Sequence, residues 1–448
     1  MWYDLIEQQA RWWRAWRAAT AWTGALGDAT AAACCADLLE PMLGWQDGMP
    51  PFEIDTIVLK GRAVGIDSTV AACMPFCALR RFARRNARRA ILLCVPLAGH
   101  AAVMMRDTVE ALLEDGDVFV TEWANARDVP LDAGRFGLDE YVAMLDGFVG
   151  WLLTGTRPVH VVAVCQAAVP GLGAIALRAQ RGAPIPASLT LIGGPLDARI
   201  HPSALGIAAC SHSLAWCDSN LIDVVPQGFA GRGRKVFPAY LQRAEIAFVY
   251  PHRYLEMAQR CRSAASSGDA RAYEGARRAL NEYAALLDMP AEYFLDTVDS
   301  VFQRASLAQG DWRVGGVRVD PTALCDLDLL TVEGGRDSVT GAGQTHAALA
   351  MCGGRPGRQR MRLDVEHCDH YGLFTGPRWR GEVHHALRAR FAHAELARAA
   401  RAVPDPLDRP IDADSSGIGR SCARRLRRKS RSPCGPGYRP DASSRRCR

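Results

Sequence analysis

Three residues that are distant along the chain have the types and local settings to act together: Cys165, Asp337 and His370. A cysteine thiol becomes a nucleophile when a base takes its proton, and the base works best when an acid orients it. Cys165 follows the valine-rich run Val159–Val164 and precedes an apolar, glycine-bearing helical pattern ending near Leu177. That is a strand, a sharp turn and a helix, with the thiol on the turn. The local pattern Ala163-Val164-Cys165-Gln166-Ala167 keeps small residues on both sides, as a turn that crowds strand against helix requires. Asp337 lies just past the strand-like run Leu327–Glu333, and His370 just past Met361–Val365. His367 is the nearest rival to His370. Asp328 is the rival to Asp337 but sits inside its own strand. An anion formed by attack on a carbonyl needs backbone donors. The Gln166 N–H and one from the Pro96–His100 turn, Leu97, are the candidates, and His100 is a candidate substrate contact.

These residues need a scaffold that delivers strand ends to one edge. From about residue 90 the sequence alternates strand and helix. Ala90–Val95, Asp117–Glu122, Val159–Val164 and Pro186–Ile192 read as strands, with helices over Ala101–Leu113 and Asp139–Leu153. Such alternation predicts a doubly wound, mostly parallel sheet. A nucleophile–acid–histidine order on strand ends predicts the α/β-hydrolase arrangement of it, with an inserted helical cap. Residues 200–315 are mostly helical in pattern and rich in aromatics, and read as the cap. The expected organisation is 1–50 for an N-terminal helix and linker, 51–199 and 316–401 for the two parts of the core, and 402–448 for a basic disordered tail. In the N-terminal helix, Trp2, Leu5, Ile6, Trp12, Trp13 and Trp16 fall on one stripe, predicting either packing on the core or docking on an apolar surface.

Composition excludes several classes. The chain has 448 residues, 49% of them hydrophobic, and 15 cysteines without a C-x-x-C pair or zinc-like spacing. No metal or other cofactor is expected. Early charges at Asp4, Glu7, Arg11 and Arg14 break any secretory pattern, so a cytoplasmic setting with free thiols is expected. The net charge of +6 resides in the stretch from 418 onward, which carries about +10, so the body is mildly acidic and no specific nucleic-acid partner is expected. Gly193-Gly194-Pro195 lacks phosphate-loop spacing. Val159–Leu177 is long enough to span a membrane, but His160, Gln166, Pro170 and two glycines favour a buried strand–turn–helix, and no transmembrane segment is expected.

From about Pro51 to Ala392 the chain resembles the intracellular poly(3-hydroxybutyrate) depolymerases. The resemblance rests on Met74-Pro75-Phe76-Cys77 through Arg81, Pro96-Leu97-Ala98-Gly99-His100, and Thr121-Glu122-Trp123 through Leu131. It continues in Ala133–Phe136, Val164-Cys165-Gln166, Gly193–Asp197, Ala291-Glu292-Tyr293-Phe294 and Val301–Arg304. The last matches are Leu330–Gly334, Gly341–Thr345 and His370-Tyr371-Gly372-Leu373-Phe374. It implies a cytoplasmic enzyme on polyester storage granules that cleaves esters of amorphous polyhydroxyalkanoate. Its triad would be Cys165, Asp337 and His370, releasing 3-hydroxybutyrate monomers or oligomers. A polyhydroxyalkanoate synthase-like acyltransferase and a non-catalytic granule-associated protein are the alternatives. The chain departs from the family pattern at Ala167, where a proline is usual, at Gly335 and Ser338, where acids are usual, and at Glu366-His367-Cys368-Asp369, where an uncharged glycine-rich segment is usual.

Overall fold

The computed structural model describes residues 2–23, 43, 48–354 and 360–402. The basic segment from 403 onward, and most of the linker before residue 48, lie outside the described residues.

Among the described residues one large sheet has nine strands: β1 (Thr56–Leu59), β2 (Arg62–Met74), β3 (Cys77–Arg84), β4 (Ala90–Cys94), β5 (Asp117–Trp123), β6 (Val159–Val164), β7 (Ser188–Ile192), β8 (Asp328–Gly334) and β9 (Arg360–Val365). Their spatial order is β1-β2-β3-β5-β4-β6-β7-β8-β9. The first three are antiparallel to their neighbours, and the rest run parallel. Strands β4, β6 and β7 are buried at every position. A parallel strand covered by helices on both faces must be apolar throughout, which is why those runs were readable as strands.

The antiparallel meander β1–β3 was not expected. Strand β2 is exposed over much of its length, and β3 interleaves buried Cys77, Leu79 and Phe82 with arginines. Arg80 meets Glu122 and Arg81 meets Asp117 across the β3–β5 pairing, one pair on each face, so charge pairing interrupts the apolar pattern. The Met74-Pro75-Phe76-Cys77 motif is the tight turn of the β2–β3 hairpin.

Helices α1 (Trp2–Thr23), α2 (Arg106–Leu113), α3 (Leu138–Leu152) and α4 (Ala168–Gln180) precede the long segment between β7 and β8. That segment contributes no strand to the main sheet. Its principal helices are α5 (Ala239–Val249), α6 (Arg253–Ser266), α7 (Ala270–Ala284) and α8 (Ala291–Thr297). A closing helix, α9 (His384–Ala402), follows β9. This doubly wound architecture, with its mostly parallel sheet, is the α/β-hydrolase fold. Among the described residues no helix is long and apolar enough to cross a membrane, and Val159–Val164 runs through the sheet centre.

The aromatic stripe of α1 is not a core face. The buried residues are Tyr3 and Ala10, whereas Trp2 and Trp12 are each 69% exposed and Leu5 and Trp16 are exposed as well. Polar anchors choose the face. The Tyr3 hydroxyl donates to Asp288, and Glu7 pairs with Arg127 at 3.1 Å. Burying an unpaired Tyr or Glu would cost more than leaving tryptophan in water, so the partners on the body fix the rotation of the helix.

Candidate active site

The loops after β4, β6, β8 and β9 converge at the carboxyl edge of the sheet, where open α/β sheets place ligands. Strand β6 ends at Val164, and Cys165 then turns into the left-handed region with φ +54°. A non-glycine residue there is strained and persists only where its surroundings hold it. Here the surroundings are tight. A Cβ on Gly194 would lie 2.2 Å from the Ala168 Cβ and 2.8 Å from the Cys165 carbonyl oxygen. A Cβ on Gly171 would lie 3.0 Å from that of Ala163. Ala163 and Ala168 therefore sit where the glycines opposite them leave little room for a larger side chain.

The side chains of His370 and Asp337 are both buried, and His370 Nδ1 lies 2.7 Å from Asp337 Oδ2. The other Asp337 oxygen, Oδ1, accepts from the Val339 and Thr340 amides at 2.8 and 2.9 Å. Burial by itself would lower the His370 pKa. The Asp337 carboxylate and the Cys165 sulfur, each acting by charge and by hydrogen bond, overcome it and hold the ring well above its ordinary value. Burial pushes Cys94 and Cys352 up to about 12 and Cys368 to about 11, which keeps them as thiols at neutral pH.

The rivals are placed elsewhere. Asp328 opens β8, at the opposite end of the strand from Asp337, with His393 Nδ1 3.4 Å away. His367 is exposed and occupies a positive-φ turn position.

The turn after β4 is clamped from both sides. The Ala98 N–H donates to the Gln166 side-chain oxygen at 2.8 Å, and the Gly99 N–H donates to Gln242 Oε1 on α5 at 2.7 Å. Gln242 in turn donates to the Phe237 and Leu287 carbonyls. With the next two amides engaged, the Leu97 N–H has no acceptor among the described residues. The Gln166 N–H stands at the start of the turn that opens α4, where helix amides point outward.

His100 Nε2 lies 2.8 Å from the Tyr371 hydroxyl, and its ring packs on Tyr283. Burial drives its pKa down to about 3, so it is a neutral imidazole.

Several supporting residues escaped the sequence reading. Gly193, at φ +54°, brings the backbone so close to His370 that a Cβ would meet the ring at 3.2 Å. Thr340 Oγ1 donates to the Gly193 carbonyl, and Thr345 Oγ1 pairs with the Gly194 N–H at 2.9 Å. The Gly193-Gly194-Pro195 turn thus packs the histidine and the Cys165 turn. Its glycines were visible, but their use depends on partners 150 residues away. Glu333 accepts from the Gly343, Thr345 and His346 amides and shapes the Gly341–Thr345 loop. Among the described residues, Glu333, His346 and Asp364 are the one group spaced to hold a cation. The Glu333 carboxylate is already filled by amides, and Arg362 pairs with Asp364, which makes the cluster structural.

Cys165, Gln166, His100 and His370 open onto a cavity of about 450 Å3, within the usual range for small-molecule sites. Its walls are mainly apolar and come from both the sheet edge and the β7–β8 segment, including Met104, Val169, Trp216, Ile246, Phe294 and Phe302. The arrangement supplies a thiol, a paired imidazole, a buried orienting acid, free amides and a mainly apolar chamber.

Residues 193–395 match the family model described as the PHB de-polymerase C-terminus. Comparison with curated proteins finds no match. Similar solved structures include the RedJ thioesterase of prodiginine biosynthesis from Streptomyces coelicolor, at 14% identity and TM-score 0.39, covering 68% of this chain and 91% of that one. A putative lipase from Acinetobacter baumannii is 10% identical with TM-score 0.40, covering 75% and 93%. An α/β-hydrolase fold protein from Nakamurella multipartita is 13% identical with TM-score 0.37, covering 76% and 99%.

Proposed function

We infer, from the premise that residues 193–395 belong to the PHB depolymerase family, that the chain hydrolyses ester bonds of stored amorphous poly(3-hydroxybutyrate) with Cys165 as nucleophile. The observation that carries this reading is the strained Cys165 turn facing a His370–Asp337 pair at 2.7 Å within one apolar chamber.

His370 takes the Cys165 proton, and the thiolate attacks the ester carbonyl carbon, forming the C–S bond. The Gln166 and Leu97 amides hold the oxyanion. The tetrahedral species collapses with cleavage of the ester C–O bond, and His370 returns the proton to the departing hydroxyl. Water, losing its proton to His370, then attacks the thioester. The acid is released, and the proton passes back to the Cys165 sulfur. His100, neutral and at the chamber wall, fits a substrate contact rather than a charged one.

The granule is the proposed site of action, in the cytoplasm. The outward tryptophans of α1 support it, because indole is well suited to an apolar–aqueous boundary. The test is release of 3-hydroxybutyrate from native amorphous granules by wild type and by Cys165→Ala. Wild type should release product and the variant should lose at least ~10³-fold in rate, the scale of removing a nucleophile. Equal release by both would remove Cys165 from the chemistry. Polymer formation from 3-hydroxybutyryl-CoA would move the reading to acyl transfer.

A further inference from the structure

The chamber is mainly apolar, yet some of its polar groups have no partner. Tyr293 and Thr297 lie one turn apart on α8, both buried and both lining the chamber. The two hydroxyls act on one another, but the geometry falls short of a hydrogen bond, and neither has a partner among the described residues. Tyr293 lies close enough to Cys165 for the sulfur to raise its pKa further, after burial. On α5, Gln242, Glu245, Ile246 and Val249 form one helical stripe facing the same space. Gln242 is fully used by backbone groups, but Glu245 has no hydrogen bond or ion pair among the described residues. Glu245 lines the chamber from an exposed position on the helix, and desolvation by the protein around it pushes its pKa up to about 7.

Unpaired buried hydroxyls such as those of Tyr293 and Thr297 are costly and call for a reason, and Glu245 adds an unpaired acceptor to the same chamber wall. A hydroxyacyl chain supplies one. It carries an ester carbonyl in each repeat, which accepts from a hydroxyl, and a terminal hydroxyl, which donates to a carboxyl. At about 30 Å3 per water-sized group, the cavity holds roughly two to three four-carbon hydroxyacyl units. A plain fatty acyl chain of equal length fills the same space and leaves the polar groups unpaired.

We propose that Tyr293, with Thr297 beside it, and Glu245 are specificity-determining residues that recognise the oxygens of a hydroxyacyl chain held in the chamber and reject plain acyl chains. This rests on the reading of Cys165 as an ester-cleaving nucleophile. Tyr293 donates to an ester carbonyl near the sulfur, and Glu245 accepts from a hydroxyl further along the chain.

The test uses the full chain and two para-nitrophenyl esters, one of the 3-hydroxybutyrate dimer and one of a plain acyl chain with the same backbone length. The readout is the ratio of their kcat/KM values. Wild type favours the dimer. Tyr293→Phe lowers the ratio about five-fold and Glu245→Leu about ten-fold, as expected for a neutral and a charge-assisted hydrogen bond, and Glu245→Gln recovers most of it. If Glu245→Leu does not fold, the near-isosteric Tyr293→Phe and Thr297→Val decide. An unmoved ratio in folded variants that still cleave both esters overturns the specificity role and leaves the nucleophile in place. Failure of wild type to cleave either ester overturns both.

Discussion

Asp337→Asn is the most discriminating single change, because the surroundings dictate how the new amide must sit. Asp337 Oδ1 accepts from two backbone amides, at 2.8 and 2.9 Å, so in the variant the amide oxygen keeps that place. The NH2 group is then forced into the Oδ2 position, facing His370 Nδ1, which lies 2.7 Å away. A donor there makes Nδ1 an acceptor and puts the imidazole proton on Nε2, the nitrogen that must receive the Cys165 proton. The analogous change in serine proteases costs about 10⁴ in kcat through the wrong tautomer, and a loss of ~10³–10⁴ is expected here. Stability should change less. One charge-assisted hydrogen bond is lost, worth about 1.5–3 kcal/mol, while the two amide contacts survive. The sign with pH follows from His370, whose pKa is raised in the folded state. Its stabilisation is complete below the ordinary value of 6.5 and is lost as pH rises through the folded value. The difference in Tm between wild type and variant should therefore be widest near pH 6 and shrink at higher pH. The assay is kcat on a soluble 3-hydroxyacyl ester, with thermal melts across pH, for Asp337→Asn, His370→Ala and the double variant. Residues acting as one unit are non-additive, so the double variant should be no slower than His370→Ala. A variant within ten-fold of wild type, or fully additive losses, would refute the coupled assignment.

Two further outcomes test the packing and the surface. Gly194→Ala should lower kcat/KM at least ten-fold and cost about 1–3 kcal/mol of stability, because the new methyl overlaps Ala168 and the Cys165 carbonyl; adding Ala168→Gly should recover part of both, and a fully active single variant would sink the idea. Replacing Trp2 and Trp12 with serine should weaken co-sedimentation with granules several-fold, with stability changed by no more than ~0.5 kcal/mol because both side chains are largely in solvent; undiminished co-sedimentation would remove α1 from the granule contact.

What the sequence made readable follows the physics of burial. Strands β4, β6 and β7 are apolar because helices cover both faces, and any such run stands out. Strand β3 does not, because Arg80 and Arg81 are paid for by Glu122 and Asp117, which lie about forty residues on. The positions of Cys165 and Asp337 were readable because each follows an apolar run at short distance, and that of His370 because it follows the alternating run Met361–Val365. The exposed face of α1 was not, since a helical wheel ranks apolar surface and cannot see Asp288 or Arg127 waiting for Tyr3 and Glu7. The clamp by Gln242 was missed for the same reason. A polar residue on a helix matters here through what it faces, and that is a tertiary fact.

The segment before His370 shows how a local departure is absorbed by distant structure. Glycines there would let the loop take the sharp turn freely, whereas this chain places His367 at φ +55° and a carboxylate at Asp369. The compensation comes from two sides. Asp369 Oδ1 accepts from the Gly372 N–H at 2.7 Å, which fixes the short turn that carries His370. The other oxygen, Oδ2, accepts from Arg253 on α6 at 3.1 Å, and the same guanidinium lies 4.2 Å from the Tyr371 ring centre. Tyr371 is the partner of His100 at the chamber wall. The charged segment therefore exchanges the flexibility of glycine for a fixed tether between the histidine loop and the helices over the chamber. An ion pair this exposed contributes little stability by itself, so its weight lies in position: it sets where His370 sits relative to the wall that the acyl chain must touch.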